Sequence, residues 1–238
     1  RYTLWYYNQM DVIYVPSHAI GDELKAKGVP EDKIRFYPRG IDGRRFHPAK
    51  RNGFFRSRYR LDDSVLKLLY VGRVSREKNI DLLERVFRTV CDNRRGVHLV
   101  IVGEGPDFRE MKRRTEGLPV TFTGFLDGED LSQAYASSDI FVFPSTTDTF
   151  GNVILEAQAS GLPVVVTDEG GPKENLIPGE TGFVVSADDE KGFAGVLMNL
   201  IDNRDLLASM KTSARLYSEG RSFEKAYIEL WDSYRSLS

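Results

Sequence analysis

Short apolar runs alternate with stretches of helical periodicity along most of the chain. Six such runs follow Leu66, at residues 68–72, 97–103, 120–124, 139–145, 163–167 and 182–186. They are apolar throughout rather than alternating, which is typical of strands buried on both faces. Strands separated by single helices favour right-handed crossovers between parallel neighbours. The pattern therefore predicts an α/β fold with a doubly wound, Rossmann-like parallel sheet.

The two ends of the chain carry further elements. Residues 11–17 and 33–38 look like two more strands, with a helix between them that reaches about Gly28. After Asp188 the apolar spacing predicts helices, and residues 223–237 form the last amphipathic one. The chain opens on Arg1, with neither an initiator methionine nor a signal-peptide pattern, which we interpret as a cut fragment.

Composition narrows the class of partner. The 33 basic and 35 acidic residues leave a formal net charge of −2, so no overall field attracts nucleic acid. No apolar run approaches the roughly 20 residues that span a bilayer. The single cysteine, Cys91, fits a reducing compartment, and we expect the cytoplasm.

A basic and aromatic stretch separates the first elements from the predicted sheet. Seven Lys or Arg residues lie from Arg44 to Arg60, with Phe54, Phe55 and Tyr59 among them. Such a stretch can touch a membrane surface or an anion, but a solvated linker with a short amphipathic helix is the commoner outcome. Peripheral contact with the inner face of a membrane therefore stays open.

In doubly wound sheets ligands bind beyond the carboxyl ends of the strands, so the loops there are searched first. The loop after the run at 68–72 contains Gly72, Arg73 and Lys78. Gly72 allows the backbone to approach a ligand, the Arg73 guanidinium can bond two phosphate oxygens, and Lys78 supplies a mobile charge. These residues suit a diphosphate, although two basic residues in a loop can also be merely solvated.

The segment after the run at 139–145 carries two carboxylates eight positions apart, Asp148 and Glu156, on either side of the expected start of a helix. If a helix begins near Phe150, its free N–H groups form an anion site beside Asp148. Glu156 can then accept from two vicinal ribose hydroxyls and Asp148 from sugar hydroxyls. The alternative is a capping role for Asp148 and an ion pair for Glu156.

Several common devices are absent from the sequence. There is no G-x-x-x-x-G-K-[ST] motif, and residues 103–108 lack the third glycine of a dinucleotide fingerprint. No two aspartates stand two apart, and the three histidines are scattered, so no metal site is predicted. We expect metal-free chemistry and no cofactor.

The order of motifs resembles the C-terminal domain of glycosyltransferase family 4, whose architecture is called GT-B. The chain has G-R-x4-K, a GEGP loop, TGF, a strand ending in PS, D-x-FG-x3-LEA-x-A-x-G-x-PVV, GG-x-x-E and G-x-TG. The similarity runs from about Asp11 to the last helix. The resemblance implies the C-terminal half of a GT-B fold with C-terminal helices. It also implies residues 1–42 as the end of an N-terminal domain and a passage, 43–221 as the nucleotide-sugar-binding domain, and 222–238 as a returning helix.

The resemblance also implies a role for each matching residue. Arg73 and Lys78 would hold the donor diphosphate, and Asp148, where the family usually has Glu, would meet the donor sugar as the third catalytic residue. The remaining donor-binding residues would be Gly72, Gly103, Phe125, Leu126, Phe150, Gly151, Asn152, Val153 and Glu156.

The resemblance implies retaining transfer of a hexosyl unit from a UDP- or GDP-sugar. The acceptor, a saccharide, lipid or small molecule, would be held by an absent N-terminal domain, so the fragment alone is expected to be inactive. Positive charge on the leaving nucleotide would be the main catalytic effect, and neither a covalent nucleophile nor a general base is assigned. A UDP-sugar epimerase and a non-catalytic nucleotide-sugar-binding module are the alternatives.

Overall fold

The structure, a computed structural model, describes residues 2–37 and 39–236. Arg1, Pro38 and residues 237–238, which belong to the ranges predicted for the chain ends, lie outside the described residues. The strands are β1 (Ile13–Val15), β2 (Ile34–Phe36), β3 (Leu66–Val71), β4 (Val97–Val102), β5 (Val120–Gly124), β6 (Ile140–Phe143), β7 (Val164–Thr167) and β8 (Gly182–Val185). The α-helices are α1 (Tyr2–Asn8), α2 (His18–Ala26), α3 (Phe54–Tyr59), α4 (Ile80–Asn93), α5 (Phe108–Arg114), α6 (Gly128–Ala136), α7 (Asn152–Ala159), α8 (Glu190–Asp202), α9 (Arg204–Glu219) and α10 (Phe223–Arg235).

Strands β3 to β8 form one parallel sheet in the order β5-β4-β3-β6-β7-β8. The chain builds outward from β3 to β5, then returns beside β3 and builds outward in the other direction. The doubly wound, Rossmann-like fold is thus confirmed, and all six predicted strands are present within two residues at each end. The strand order reverses between β3 and β6, which is where such sheets bind ligands.

The core explains why these strands are rigid supports. Every residue of β3, β6 and β7 is buried, so both faces of the central sheet are covered. Helix α4 packs beside α8, and α7 packs beside α9. Burying one Val, Leu or Ile side chain contributes about 1.5–3 kcal/mol, so the central strands resist displacement. The loops at their carboxyl ends therefore project from a fixed frame.

A smaller unit precedes the sheet. β1 and β2 pair in parallel, with α2 between them in the chain, as the sequence predicts. Two segments connect this unit to the rest of the chain, one after β2 and one before α10. They meet where the Ile41 N–H donates to the Arg221 carbonyl at 2.8 Å and where Ile41 forms an isolated β-bridge with Ser222. Helix α10 lies against the small unit, since the Tyr14 hydroxyl donates to Ser233 Oγ at 2.9 Å. The division at residues 42 and 221 stays a prediction.

The basic and aromatic stretch contains the short helix α3. Phe54 and Phe55 are buried in the core, so their rings are not presented to a membrane. Lys50 and Arg58 pair with the acidic residues Glu129 and Asp130 of α6. The linker interpretation is therefore the one that the structure supports. None of the helices in residues 2–37 and 39–236 has the length and apolarity to cross a membrane.

Candidate active site

Backbone hydrogen bonds join the loops that follow β3, β4 and β5. The Gly72 N–H donates to the Val102 carbonyl at 3.0 Å, and the Gly103 N–H donates to the Gly124 carbonyl at 2.8 Å. Gly103 has φ +126°, and a Cβ there would lie 2.1 Å from the Gly72 carbonyl oxygen. A side chain at this position is excluded, because the backbones of two loops are in direct contact. Gly72 and Gly103 therefore form one continuous surface.

Phe125 and Leu126 extend this surface at the edge of the sheet. They follow Gly124, whose carbonyl holds the loop after β4. The Phe125 ring is 70% exposed, whereas Leu126 is half-buried against the core. An exposed aromatic ring fixed beside a glycine loop provides a flat apolar surface of the kind on which a nucleobase stacks.

Two cations stand in the loop after β3, and their environments differ. Lys78 ends a short 3₁₀ helix, Arg76–Lys78, and its Nζ donates to Asp148 Oδ2 at 2.9 Å. The two side chains are 20% and 24% exposed, so the pair keeps partial contact with solvent. Arg73 is 62% exposed and only reaches Glu77, at 3.5 Å. Lys78 is thus fixed, and Arg73 is free to turn toward an incoming anion.

The Lys78–Asp148 pair joins the loop after β3 to the loop after β6. These loops lie on the two sides of the switch point, the position where the strand order reverses. A second contact supports it, because the Thr147 hydroxyl donates to the Glu77 carbonyl at 3.1 Å. Ser145, which follows β6, donates its hydroxyl to the same Asp148 carboxylate oxygen. Asp148 is therefore an ion-pair partner and not the helix cap considered as an alternative. Ser145 was not predicted as a site residue, although its PS motif was noted.

The loop after β7 completes the arrangement. The Gly171 N–H donates to the Asp148 carbonyl at 2.8 Å. A Cβ at Gly171 would lie 2.1 Å from the Thr149 carbonyl oxygen, and one at Gly170 would lie 2.6 Å from that of Asp148. The double glycine of the GG-x-x-E motif is therefore required for close backbone packing against the acid-bearing loop.

Helix α7 begins later than the sequence predicts. Its first residue is Asn152, and Gly151 before it has φ +78°, a left-handed conformation that favours glycine. The helix therefore starts two residues after Phe150, near which the sequence suggests that it begins. Phe150 is 6% exposed and packs in the core. The unpaired N–H groups at the start of the helix are therefore those of Asn152 and Val153.

Glu156 lies in the second turn of α7. Its Oε2 accepts a hydrogen bond from the Tyr135 hydroxyl at 2.8 Å, and the described residues include no ion-pair partner for it. Burial raises the pKa of the Glu156 carboxyl, an effect that the Tyr135 hydrogen bond and the charge of Arg45 only partly offset. The ion pair considered as an alternative is therefore not formed. Tyr135 has no sequence signal linking it to the site.

Glu156 also borders a cavity of about 370 Å³, together with Asn152, Arg39 and Arg45. Arg73 and Lys78 do not line this cavity. The predicted site residues thus fall into two groups, one around the Lys78–Asp148 pair and one along the exposed face of α7. The start of α7 follows the Asp148 loop in the chain, and its first residue, Asn152, lines the cavity of the second group.

These features define a class of site. Glycine loops, two cations and a helix start meet at the switch point of a doubly wound sheet, which suits the phosphates of a nucleotide. Within the described ranges, no three His, Cys, Asp or Glu side chains cluster as a metal would require.

The comparison with protein families agrees with this class. Residues 53–217 match the family described as glycosyl transferases group 1. That range is more than half of the chain, and the chain therefore belongs to this family.

Individual relatives give the same result. The chain is 36% identical over 226 residues to the sulfoquinovosyl transferase SQD2 of Arabidopsis thaliana, covering 92% of this chain and 43% of the relative. It is 34% identical over 229 residues to a GDP-mannose-dependent alpha-mannosyltransferase of Mycobacterium tuberculosis, covering 95% of this chain and 57% of the relative. The chain therefore spans about half the length of these relatives.

A solved structure supports the fold. HepE of Anabaena, crystallised in complex with UDP, superimposes with a TM-score of 0.84 at 20% identity, covering 96% of this chain and 65% of that one. At this identity the similarity establishes the fold alone.

Proposed function

We propose that the chain is the C-terminal, donor-binding half of a retaining glycosyltransferase of family 4. It binds the nucleoside diphosphate of a UDP- or GDP-sugar, and an N-terminal domain holds the acceptor, which is a saccharide, lipid or small molecule. No metal and no cofactor take part. The expected compartment is the cytoplasm, on composition alone.

One observation carries this proposal: the ion pair of Lys78 with Asp148 across the switch point. The pair joins the loop of the basic motif to the loop of the acidic motif, although the residues are 70 positions apart. A partly exposed salt bridge contributes little to stability, so stability alone does not account for this pair. The names of the relatives add support, since one uses GDP-mannose and a structural neighbour was crystallised with UDP.

The mechanism follows from an exchange of partners. A bound diphosphate competes with Asp148 for Lys78, and Arg73 turns in to bond further phosphate oxygens. Asp148, released from Lys78, accepts from hydroxyls of the donor sugar. As the bond between sugar and diphosphate breaks, negative charge grows on the leaving phosphate, where the two cations stabilise it.

Glu156 takes no part in this exchange of partners. Its carboxylate keeps one oxygen for the Tyr135 hydroxyl and offers the other to the ribose. The N–H groups of Asn152 and Val153 face the phosphates and the sugar, and Phe125 and Leu126 flank the base.

Calorimetry with UDP, GDP and ADP tests the proposal. We expect UDP or GDP to bind. The double variant Arg73→Ala/Lys78→Ala should weaken that binding about a hundredfold, because two charge-assisted contacts are lost. Arg109→Ala, an exposed arginine on α5, is the matched control and leaves the affinity unchanged. Absence of binding by all three nucleotides, or an unchanged affinity in the double variant, refutes the site.

A separate experiment tests whether sugar transfer requires the N-terminal domain. The 238-residue chain transfers no sugar from a bound donor, whereas the whole protein does and keeps the anomeric configuration in the product, as NMR of the product would establish. Turnover by the chain alone contradicts the proposal. An isomerised donor without an acceptor product identifies an epimerase, and donor binding without turnover by the whole protein identifies a binding module.

A further inference from the structure

A second cavity, of about 540 Å³, lies between the small unit and the sheet domain. The small unit contributes His18, Phe36 and Arg39 to its lining, and α10 with the segment before it contributes Arg221 and Lys225. Phe150, two residues before the start of α7, also lines it. The cavity therefore adjoins the segment assigned above to the donor sugar.

The cations in this cavity lack acidic partners. Arg39 Nη1 reaches only the Asn152 side-chain oxygen, at 3.4 Å, and the guanidinium lies 5.3 Å from the Phe150 ring centre. Arg221 Nη1 donates to the Asn175 amide oxygen at 2.9 Å. Neither these two arginines nor Lys225 forms an ion pair with a described carboxylate. Both arginines are half-buried, so their charges are partly removed from water without a carboxylate to offset them.

The carboxylates in the cavity do not supply that pairing. Glu174 accepts from the backbone N–H groups of His18 and Ala19 at 2.7 and 2.8 Å, so both its oxygens are used by the start of α2. The partial positive charge of that helix end offsets part of the Glu174 charge. Glu229 remains, as an exposed residue on α10. Three cations therefore face the cavity with one uncommitted carboxylate.

Aromatic surface accompanies the charge. The His18 and Phe36 rings lie 3.7 Å apart between centres, and Phe36 keeps 43% of its surface exposed. Exposed aromatic faces pack against the C–H faces of sugar rings, and guanidinium groups bond planar or tetrahedral oxyanions through two N–H groups.

We infer that this cavity binds an oxyanion carried on a sugar-like molecule, such as a phosphate, sulfonate or carboxylate substituent. Arg39, Arg221 and Lys225 bind the anion, and His18 with Phe36 contacts the ring. The inference rests on the proposed function, because that function places the donor sugar beside the cavity. The anionic group belongs either to the donor sugar itself or to the acceptor, which this cavity would then hold together with the N-terminal domain.

Calorimetry on the 238-residue chain separates these two sources. In the first arm, glucose 6-phosphate and glucose are compared with the chain saturated by its nucleotide. In the second arm, UDP-glucuronate is compared with UDP-glucose. Tighter binding of glucose 6-phosphate, by about tenfold or more, assigns the site to an acceptor, and the same preference for UDP-glucuronate assigns it to the donor.

Variants link either preference to the cavity. Arg39→Gln and Lys225→Gln each reduce the preference about tenfold, whereas Lys191→Gln, an exposed lysine on α8, leaves it unchanged. Lys225 is exposed on a helix surface, so its replacement does not threaten folding. The inference is overturned if neither anionic probe binds more tightly than its neutral counterpart, or if both variants keep the preference.

Failure of this inference is distinguishable from failure of the proposed function. Binding of UDP or GDP alone depends on Arg73 and Lys78, and Lys225→Gln keeps that affinity within about twofold of the unmodified chain. A chain that binds nucleotide without any anion preference retains the proposed function and loses only the second site. A chain that binds no nucleotide loses the proposed function, and glucose 6-phosphate alone then tests the cavity.

Discussion

Two aspartates stand at opposite ends of β6, and each pairs with a lysine. Asp139, before the strand, accepts from Lys211 Nζ at 2.8 Å, from the Lys67 N–H at 2.9 Å and from Arg51 at 3.3 Å. Asp148, after the strand, has Lys78 and the Ser145 hydroxyl. The first carboxylate has three cationic or backbone donors in a buried setting, and the second has fewer partners and more exposure.

We propose that the difference separates a structural pair from a binding pair. At Asp139 three protein donors hold a carboxylate that is only 11% exposed, so little of it is open to a ligand. Under the proposed function, a diphosphate displaces the Asp148 carboxylate from Lys78, because the pair is partly exposed and its net strength is small. The same two residue types therefore stabilise the fold at one end of the strand and remain exchangeable at the other.

The largest expected effect is at the structural end. Asp139→Asn leaves Lys211 and Arg51 without their anion and lowers the free energy of unfolding by about 3 kcal/mol, as measured by urea unfolding at pH 7. Asp188→Asn, an exposed residue before α8, is the control and changes it by less than about 0.5 kcal/mol. If the two substitutions lowered the free energy of unfolding equally, Asp139 would have no special structural role.

This stabilisation depends on pH. Burial acts to raise the pKa of Asp139, but Lys211, the Lys67 N–H and Arg51 together hold it below the ordinary value of 3.8. The stabilisation is therefore fully present above pH 3.8 and is lost as the pH falls through the lower folded-state pKa. The difference between the unmodified chain and Asp139→Asn should narrow in that acidic range.

A smaller effect is expected where the loops meet. Gly103→Ala places a methyl group against the Gly72 carbonyl and requires a left-handed residue, so we expect a loss of about 2 kcal/mol in unfolding free energy and weaker nucleotide binding. Gly117 also has a positive φ, +82°, but nothing lies near its Cβ, so Gly117→Ala gives the cost of a left-handed residue alone, about 1 kcal/mol. Equal losses would mean that the loop contact contributes nothing.

The exchangeable pair gives an opposite signature. Asp148→Asn changes the free energy of unfolding by less than about 1 kcal/mol, since the pair is partly exposed. The affinity for UDP or GDP is unchanged or a few-fold tighter, because Lys78 no longer has a competing anion. The added affinity of the nucleotide sugar over the nucleotide is lost. A loss of nucleotide affinity itself would contradict the exchange mechanism.

The smallest expected effect on stability is at Glu156. Its pKa is raised by burial, so the charged form is disfavoured in the folded chain and stability falls as the pH rises from the unfolded value of 4.5 through the folded one. Glu156→Gln should therefore be slightly more stable than the unmodified chain at pH 7, and the gain should vanish near pH 4. Nucleosides bind it less tightly than the unmodified chain, whereas ribose-free pyrophosphate binds both equally.

The sequence predicts the frame of this molecule better than its contacts. The uninterrupted apolar runs predict every strand of the main sheet, because burial on both faces requires continuous apolar residues. The start of α7 was predicted two residues early, because a left-handed Gly151 separates Phe150 from the helix.

The pairing of site residues depends on topology. Lys78 and Asp148 were each singled out, and their contact follows only from the strand order that places β3 beside β6. Arg39 and Tyr135 carry no motif and are brought to α7 by chain segments far away in the sequence.

The most direct test is to compare nucleotide binding at the two ends of the sheet strands, the Asp148 end and the Asp139 end, by amide chemical shifts. A perdeuterated, ¹⁵N-labelled chain is titrated with UDP or GDP, whichever binds in calorimetry. The account predicts that the amides of Gly72, Gly103 and Asn152 shift with the same affinity, while those of Lys67 and Asp139 do not. Shifts confined to the Asp139 end of the strand, or none at the Asp148 end, would contradict it.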